Sequence, residues 1–262
     1  MNNEKFKQAA DLILEAYRTG EYCTPVRELI GETIGAGYAV QSIVTERWLQ
    51  EGRRLCGRKI GLTSEAVQIQ LGVDQPDFGV LMADMEYADG SEIPCSEMQQ
   101  AKAEAELALV LKSDLDHEGI SYEELVGAID YILPAIEIVG SRIMNWNIRL
   151  SDTVADNASS GLYVLGRQVH DWQDIDLAAS AMVLKCNGEI VSEGVGAACL
   201  GHPFKAALWL ANTCARFGNG LRAGDVVLTG AMGPMVPITP GDRFEASIEN
   251  VGSVHFTAGP DQ

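Results

Sequence analysis

The chain has 262 residues, enough for one large domain or two small ones, and its hydrophobic (47%) and charged (21%) fractions are typical of a globular protein. Its formal net charge of −18 repels phosphate backbones, which argues against nucleic acid as a partner. Because no apolar run approaches the roughly 20 residues that span a bilayer, and no apolar signal-peptide core follows Met1, we predict a cytoplasmic protein without membrane contact.

The first part of the chain has the apolar spacing of helices. Between Phe6 and Tyr17 the apolar residues recur every three or four positions, and Gly20 follows as a stop signal. A second run with helical spacing extends from about Gly37 to Glu51. The sequence therefore predicts a helical N-terminal region over residues 1–55.

From Gly57 onward, short apolar stretches alternate with turn residues, which is typical of a β-rich domain. Asp89-Gly90 and Asn187-Gly188 are the clearest hairpin signals, and the second should join two strands through a type I′ turn. Further predicted elements are strands at residues 181–186, 189–191, 224–230 and 244–248 and helices at residues 122–129 and 203–217. We predict one β-rich catalytic domain over residues 56–262.

Three glutamates interrupt two segments that otherwise have the apolar composition of buried strands. Glu104 and Glu106 alternate with alanines, so in an extended strand they point the same way. This pair alone would equally fit a solvated sheet face that pairs with Lys102 or an arginine. Glu137 favours another interpretation, because it is the only charged residue in residues 131–139. Since unpaired buried carboxylates are costly, we predict a hard divalent metal ion bound through oxygen.

Two further segments carry candidate catalytic residues. Arg58 and Lys59 occupy opposite faces of an extended stretch, so one of them must face inward. A buried Lys59 near a metal ion could hold a substrate carboxylate or exchange protons, although spacing alone favours an ordinary exposed lysine. Asp77, beside Phe78 in a loop made rigid by Pro76, is a candidate acid or base. Turn aspartates are usually structural, so this signal is weak by itself.

Small polar residues are dense at positions 152–161. Asp156, Asn157 and Ser159 could line a substrate pocket there, but they would equally suit a plain turn.

The six cysteines are scattered, with no C-x-x-C pair and no close histidine, which argues against a zinc site and a disulfide scaffold. Reduced, mostly buried thiols are therefore expected.

Taken together, the motifs resemble the 2-keto-4-pentenoate hydratase family of the fumarylacetoacetate hydrolase-like group, in order and over nearly the whole chain. They are Gly57-Arg58-Lys59-Ile60-Gly61-Leu62-Thr63-Ser64, residues 70–79, Glu104-Ala105-Glu106, Leu133-Pro134-Ala135-Ile136-Glu137, Gly140-Ser141-Arg142-Ile143, Asp156-Asn157-Ala158 and Thr229-Gly230. The resemblance implies an α+β fold with a mixed, rolled β-sandwich core, like the C-terminal domain of fumarylacetoacetate hydrolase, and a helical N-terminal region. One departure is Ala101-Lys102, where many relatives have proline followed by arginine or lysine.

The resemblance also implies the parts of an active site. A Mg²⁺ or Mn²⁺ ion would be held by Glu104, Glu106 and Glu137, in agreement with the strand pattern. The family's active-site lysine corresponds to Lys59, and its acid/base aspartate corresponds to Asp77. Members of the family act in the lower part of bacterial aromatic meta-cleavage pathways and assemble as homo-oligomers. The candidates for the surrounding substrate-binding shell are Asp156, Asn157 and Ser159.

The expected reaction is hydration of 2-hydroxypenta-2,4-dienoate (2-oxopent-4-enoate) to 4-hydroxy-2-oxopentanoate. Lys59 would place the substrate carboxylate, and Asp77 would deliver or activate the water. The nearest alternative is a 4-oxalocrotonate decarboxylase, although no extra basic residue for a second carboxylate is evident. Further alternatives are a hydratase for a longer dicarboxylate dienoate, a partner subunit that associates with a pathway neighbour in a hydratase–decarboxylase complex, and a non-catalytic binding protein. The retained carboxylates and Lys59 argue against the last two.

Overall fold

The computed structural model of the chain describes residues 2–64, 68–69 and 73–260. Residues 70–72, which open the second family motif, therefore lie outside the described residues. The N-terminal helices are α1 (Asn2–Thr19), α2 (Arg27–Ile30) and α3 (Ile34–Gln50). The side chain of Thr33 caps α3 by accepting a hydrogen bond from the Ala36 amide. Both predicted helices are confirmed, and the short α2 escaped prediction because four residues carry too little periodicity.

The strands form two β-sheets. In chain order the strands are β1 (Leu55–Gly61), β2 (Asp77–Met82), β3 (Glu86–Ala88), β4 (Glu92–Ile93), β5 (Lys102–Leu111), β6 (Ile129–Val139), β7 (Leu162–Leu165), β8 (Ala181–Cys186), β9 (Glu189–Val195), β10 (Val226–Ala231), β11 (Val236–Pro237), β12 (Arg243–Ile248) and β13 (Gly252–Ala258). The larger sheet has the order β2-β1-β10-β5-β6-β7-β3, with β11 also paired to β5, and the smaller sheet has the order β4-β13-β12-β8-β9. The parallel pairs β1–β10 and β3–β7 make the larger sheet mixed.

Within the described ranges, further helices between the strands are α4 (Tyr122–Ala128), α5 (Leu150–Ala155) and α6 (Pro203–Arg216). The predicted helices at 122–129 and 203–217 are thereby confirmed. The polar segment at 152–161 is not a plain turn, because it begins inside α5. None of the described helices has both the length and the hydropathy that a membrane-spanning segment needs.

The side chains of β5 alternate between two hydrophobic cores, which defines the layers of the fold. Leu107 and Leu109 join a core formed with the smaller sheet and α6, whereas Ala108 and Val110 join a core formed with α1 and α3. The larger sheet is therefore the middle layer of an α+β architecture, as predicted. The predicted boundary at residue 55 falls where β1 begins, but both parts of the chain share a core, and the division into two regions stays a prediction.

Of the two predicted hairpins, one is confirmed and one is wrong. β8 and β9 pair antiparallel across Asn187-Gly188, whose φ values of 53° and 88° are those that a type I′ turn requires. Asp89-Gly90 also turns the chain, but β3 and β4 on either side belong to different sheets. The Asp89 carboxylate accepts a hydrogen bond from the His255 amide, and the Gly90 amide donates to the His255 carbonyl oxygen. Contacts with the distant strand β13 thus replace hairpin pairing.

Candidate metal centre and active site

The three glutamates predicted as metal ligands converge on one face of the larger sheet. In the antiparallel register of β5 and β6, Glu104 lies opposite Glu137, and Glu106 follows on the same face of β5. One carboxylate oxygen of each residue lies within 4.8 Å of those of the other two. Glu106 and Glu137 are fully buried and Glu104 is half-buried. A hard divalent cation needs such a convergent set of oxygen ligands.

Several oxygens of this carboxylate cluster have no hydrogen-bond partner among the described residues. They are Oε1 of Glu106 and both carboxylate oxygens of Glu137. Burial and the neighbouring Glu137 raise the pKa of Glu104 to about 7, and the same two causes raise the pKa of Glu106 well above its ordinary value. Because buried ionised carboxylates repel each other and are costly without partners, the cluster fits a dication that its oxygens would share.

Lys59 is buried on the inner strand β1, and its ammonium lies beside the glutamates. Its Nζ is 3.2 Å from Glu137 Oε1, an ion pair without hydrogen-bond geometry. Burial lowers the pKa of Lys59, but Glu137, Asp77 and the other carboxylates together raise it more, so the ammonium stays charged. The alternative of an exposed lysine is therefore wrong. Arg58 is buried as well, toward α6, because β1 is covered on both faces.

Asp77 opens β2 opposite Gly61 of β1, so it belongs to a strand rather than to the predicted loop. It is buried, and its Oδ1 has no hydrogen-bond partner within the described chain. Burial raises the pKa of Asp77 to about 6, although the charge of Lys59 lowers it. A Cβ atom at Gly61 would collide with Asp77 Oδ1 and would lie 3.7 Å from Lys59 Nζ. Gly61 therefore gives both side chains room to meet, and a carboxyl group with this pKa can accept and release a proton near neutral pH.

Strand β10 has a β-bulge beside Glu106, which the sequence did not predict. Its register with β5 shifts across Thr229 and Gly230. The Gly230 amide donates a hydrogen bond of 2.9 Å to Glu106 Oε2, and the thiol of Cys199 donates to the Gly230 carbonyl oxygen at 3.1 Å. The family motif Thr229-Gly230 was the only sequence signal for this arrangement. Nothing distinguished Cys199 from any other buried thiol.

Asn157, predicted to bind substrate, lies against β2. Its side-chain amide makes hydrogen bonds of 2.7 and 2.9 Å with both backbone groups of Val80. Since β2 is an edge strand of the larger sheet, Asn157 takes the place of a neighbouring strand. Asn157, Ala158 and Ser159 have φ values of 55°, 53° and 54°, a left-handed turn that residues other than glycine rarely form. This strained turn packs onto the strand that begins with Asp77.

The other two predicted substrate-binding residues also have protein partners. Asp156 is fully buried in an ion pair with Arg142, with 2.6 Å between Arg142 Nε and Asp156 Oδ1. The hydroxyl oxygen of Ser159 lies 2.9 Å from that of Thr153. These contacts do not test substrate binding by Asp156, Asn157 or Ser159, so that role stays a prediction.

The mixed α+β fold and a buried acidic cluster flanked by a lysine and an aspartate define a class of protein, an enzyme built around a divalent-metal centre. Within that class, residues 58–258 match the model of the fumarylacetoacetate (FAA) hydrolase C-terminal family. The chain belongs to this family.

Within this family, the chain is similar to named hydratases and to a solved decarboxylase structure. A TodF product hydratase of Pseudomonas putida is 56% identical over 249 residues, which cover 95% of this chain and 93% of the relative. The 2-keto-4-pentenoate hydratase 1 of Dechloromonas aromatica is 55% identical over 247 residues, which cover 94% of each. The solved structure of 4-oxalocrotonate decarboxylase from Pseudomonas putida G7, complexed with magnesium and adipate, has a TM-score of 0.92 at 34% identity and 97% coverage of both chains. The predicted family and fold class are confirmed.

Proposed function

We propose that the chain adds water to 2-hydroxypenta-2,4-dienoate to give 4-hydroxy-2-oxopentanoate, as a hydro-lyase of aromatic meta-cleavage catabolism. One observation carries this proposal. Glu104, Glu106, Glu137 and Lys59 meet on one sheet face in a chain that is more than half identical to named hydratases over nearly its whole length.

The residues of the cluster fit Mg²⁺ or Mn²⁺. The cluster consists of carboxylates alone, and hard dications prefer oxygen ligands. Glu104, Glu106 and Glu137 would hold the ion. When bound, it supplies Lewis-acid stabilisation of the negative charge that develops on the C2 oxygen of the substrate. The magnesium in the 34% identical decarboxylase structure supports this assignment.

Lys59 is proposed to orient the substrate. A chain with a net charge of −18 repels small anions, so a local positive charge has to attract the substrate carboxylate. The buried ammonium of Lys59 keeps its charge beside the glutamates, which supports this role. Its burial on an inner strand also fixes its position, which limits the orientations in which the substrate can bind.

Asp77 is the group that moves protons. The dienol first becomes a conjugated 2-oxo-3-enoate, as its hydroxyl loses a proton and C5 gains one. Asp77, with a pKa of about 6, accepts a proton from the water whose oxygen bonds to C4. The protonated Asp77 then gives a proton to C3. One molecule of water has been added, and Asp77 has returned to its starting state. Asp156, Asn157 and Ser159 are proposed as the surrounding substrate contacts.

A spectrophotometric assay tests this proposal. Freshly generated 2-hydroxypentadienoate and 4-oxalocrotonate are each supplied to the purified chain, with and without EDTA. We expect loss of the dienoate absorbance and formation of 4-hydroxy-2-oxopentanoate, both stopped by EDTA and restored by Mg²⁺ or Mn²⁺. Release of CO₂ from 4-oxalocrotonate, with the dienoate left unchanged, would overturn it.

A second candidate is 4-oxalocrotonate decarboxylation, which is favoured by the TM-score of 0.92 to the decarboxylase structure. It ranks second because that protein is 34% identical, against 56% for the hydratase relative.

We also propose that the chain is cytoplasmic, forms a homo-oligomer and associates with a pathway-neighbour enzyme. Light scattering on the chain, alone and mixed with a candidate neighbour, measures both kinds of assembly.

A further inference from the structure

The β-bulge of β10 connects Glu106 to a part of the chain that has no role in the proposed reaction. Both backbone groups of Gly230 are engaged there. Its amide donates to Glu106 Oε2 at 2.9 Å, and its carbonyl oxygen accepts from the thiol of Cys199 at 3.1 Å. Of the two carboxylate oxygens of Glu106, only Oε2 has a hydrogen-bond partner among the described residues. Among the described residues, the Gly230 amide of the bulge is therefore the hydrogen-bond donor that orients the Glu106 carboxylate.

The conformation of the bulge depends on what surrounds it. Gly230 has a φ of 101°, which residues with a side chain rarely adopt, and a Cβ atom there would collide with the side chain of Thr63. On the other side, Cys199 is completely buried, and the amide of the next residue, Leu200, donates to the carbonyl oxygen of Thr63. Thr63 and Cys199 thus enclose Gly230.

We propose that Cys199 is a positioning residue for the metal centre, which acts by holding the Gly230 bulge so that its amide fixes Glu106. This inference rests on the proposed function, because it assumes that Glu106 binds the metal ion. Groups that orient a metal ligand without touching the metal affect affinity strongly, commonly by 10- to 100-fold. A thiol is a weak donor. Its contribution here comes from complete burial, where the carbonyl oxygen of Gly230 cannot turn to water instead.

Calorimetric titration of Mn²⁺ into the EDTA-stripped full-length chain, without substrate, tests the inference. For Cys199→Ala we expect a Kd about 10-fold higher than that of the unmodified chain. Cys199→Ser keeps a donor to the Gly230 oxygen, so its Kd should return to within about threefold. The matched control is Cys214→Ala, because Cys214 is equally buried in the same core but lies toward Arg58, and its Kd should not change.

The outcomes separate the inference from the function on which it rests. An unmodified chain that bound no Mn²⁺ would overturn the metal centre itself. Normal binding by both the unmodified chain and Cys199→Ala would overturn only the role of Cys199. Equal losses in Cys199→Ala and Cys214→Ala, or no recovery in Cys199→Ser, would show that core packing is responsible and would also overturn it. If Cys199→Ala does not fold, Cys199→Val takes its place, because valine fills the buried space but has no donor for the Gly230 oxygen. It should raise the Kd for Mn²⁺, whereas Cys214→Val should not, and an unchanged Kd in Cys199→Val would overturn the inference.

Discussion

Among the described residues, two of the clusters of buried charge differ in how their charges are satisfied. Arg142 and Asp156 form the first. Arg142 donates hydrogen bonds from its backbone amide and its guanidinium to the Asp156 carboxylate. Its guanidinium also donates to the backbone carbonyl oxygens of Asp156 and Ser160. The guanidinium also lies 4.2 Å from the ring centroid of Tyr17. One cation and one anion are thus neutralised entirely by protein groups.

The second cluster joins Glu104, Glu106 and Glu137 to Lys59, with Asp77 beside them. Four carboxylates face one ammonium, and four of their oxygens have no hydrogen-bond partner in the part of the chain that the structure describes. Both clusters are buried, so burial does not distinguish them. The unbalanced charge, rather than the presence of charge, is therefore our reason for proposing a ligand site at the second cluster and not at the first.

Neutralising one ligand of the unbalanced cluster should have the largest effect. We expect Glu106→Gln to lower turnover at saturating metal by about 10²- to 10³-fold, because electrostatic stabilisation of the substrate oxygen is weakened. The metal-free variant should melt at the same or a higher temperature, since a neutral amide replaces a carboxyl group whose negative charge burial and Glu137 already disfavour. Turnover is measured with the dienoate, and melting by circular dichroism.

Glu92→Gln is the control for Glu106→Gln, because Glu92 is an exposed strand glutamate of the smaller sheet. It should change neither quantity. Near-normal, metal-stimulated turnover in Glu106→Gln would show that Glu106 is not a ligand.

Breaking the balanced pair should instead affect stability. Asp156→Ala leaves the buried guanidinium of Arg142 without its anion, so we expect the free energy of unfolding to fall by about 3–5 kcal/mol. Urea unfolding followed by circular dichroism measures this. A fall of less than about 1 kcal/mol, the range of an exposed pair, would contradict it. The KM of folded Asp156→Ala for the dienoate separately tests the predicted substrate contact of Asp156. If the ion pair with Arg142 has only a structural role, KM should not change.

The sequence predicted which glutamates cluster because their signals are local. Alternation along β5 places Glu104 and Glu106 on one face whatever the strand pairs with, and the apolar surroundings of Glu137 indicate burial. The hydratase resemblance then assigned Lys59 and Asp77. The pairing of Glu104 with Glu137 depends on strand register, which no local pattern defines.

Features that depend on long-range packing were not predictable in this way. The spacing of Arg58 and Lys59 favours an exposed Lys59. The sequence of β1 alone does not show that helices cover one face of the larger sheet and that the smaller sheet covers its other face. Asp89-Gly90 has the composition of a hairpin turn, but the contact with His255 that decides its partner lies far along the chain. The same is true of Cys199 and Gly230, which are brought together only by the fold.

Replacing the proton-transfer group should have an intermediate effect. We expect Asp77→Asn to lower kcat by about 10²-fold, within the usual range for a general acid or base. Its Kd for Mn²⁺ should change much less, because Asp77 is not among the three clustered glutamates. Lys59→Ala should also lower kcat more than it weakens metal binding. A loss of Mn²⁺ affinity as large as the loss of kcat would contradict both assignments and place these residues in the metal site.

The smallest expected effect is the stabilisation that the metal ion itself provides. An ion that binds only the folded state at ten times its Kd raises the free energy of unfolding by about 1.4 kcal/mol. We expect this increment for the unmodified chain and its loss in Glu106→Gln. Asp156→Ala should keep the full increment on top of its lower baseline, because separate sites contribute additively. Urea unfolding with Mn²⁺ or with EDTA measures all three. An increment that also disappeared in Asp156→Ala would mean that the two clusters are one coupled unit, and that the balanced pair helps to hold the unbalanced one in place.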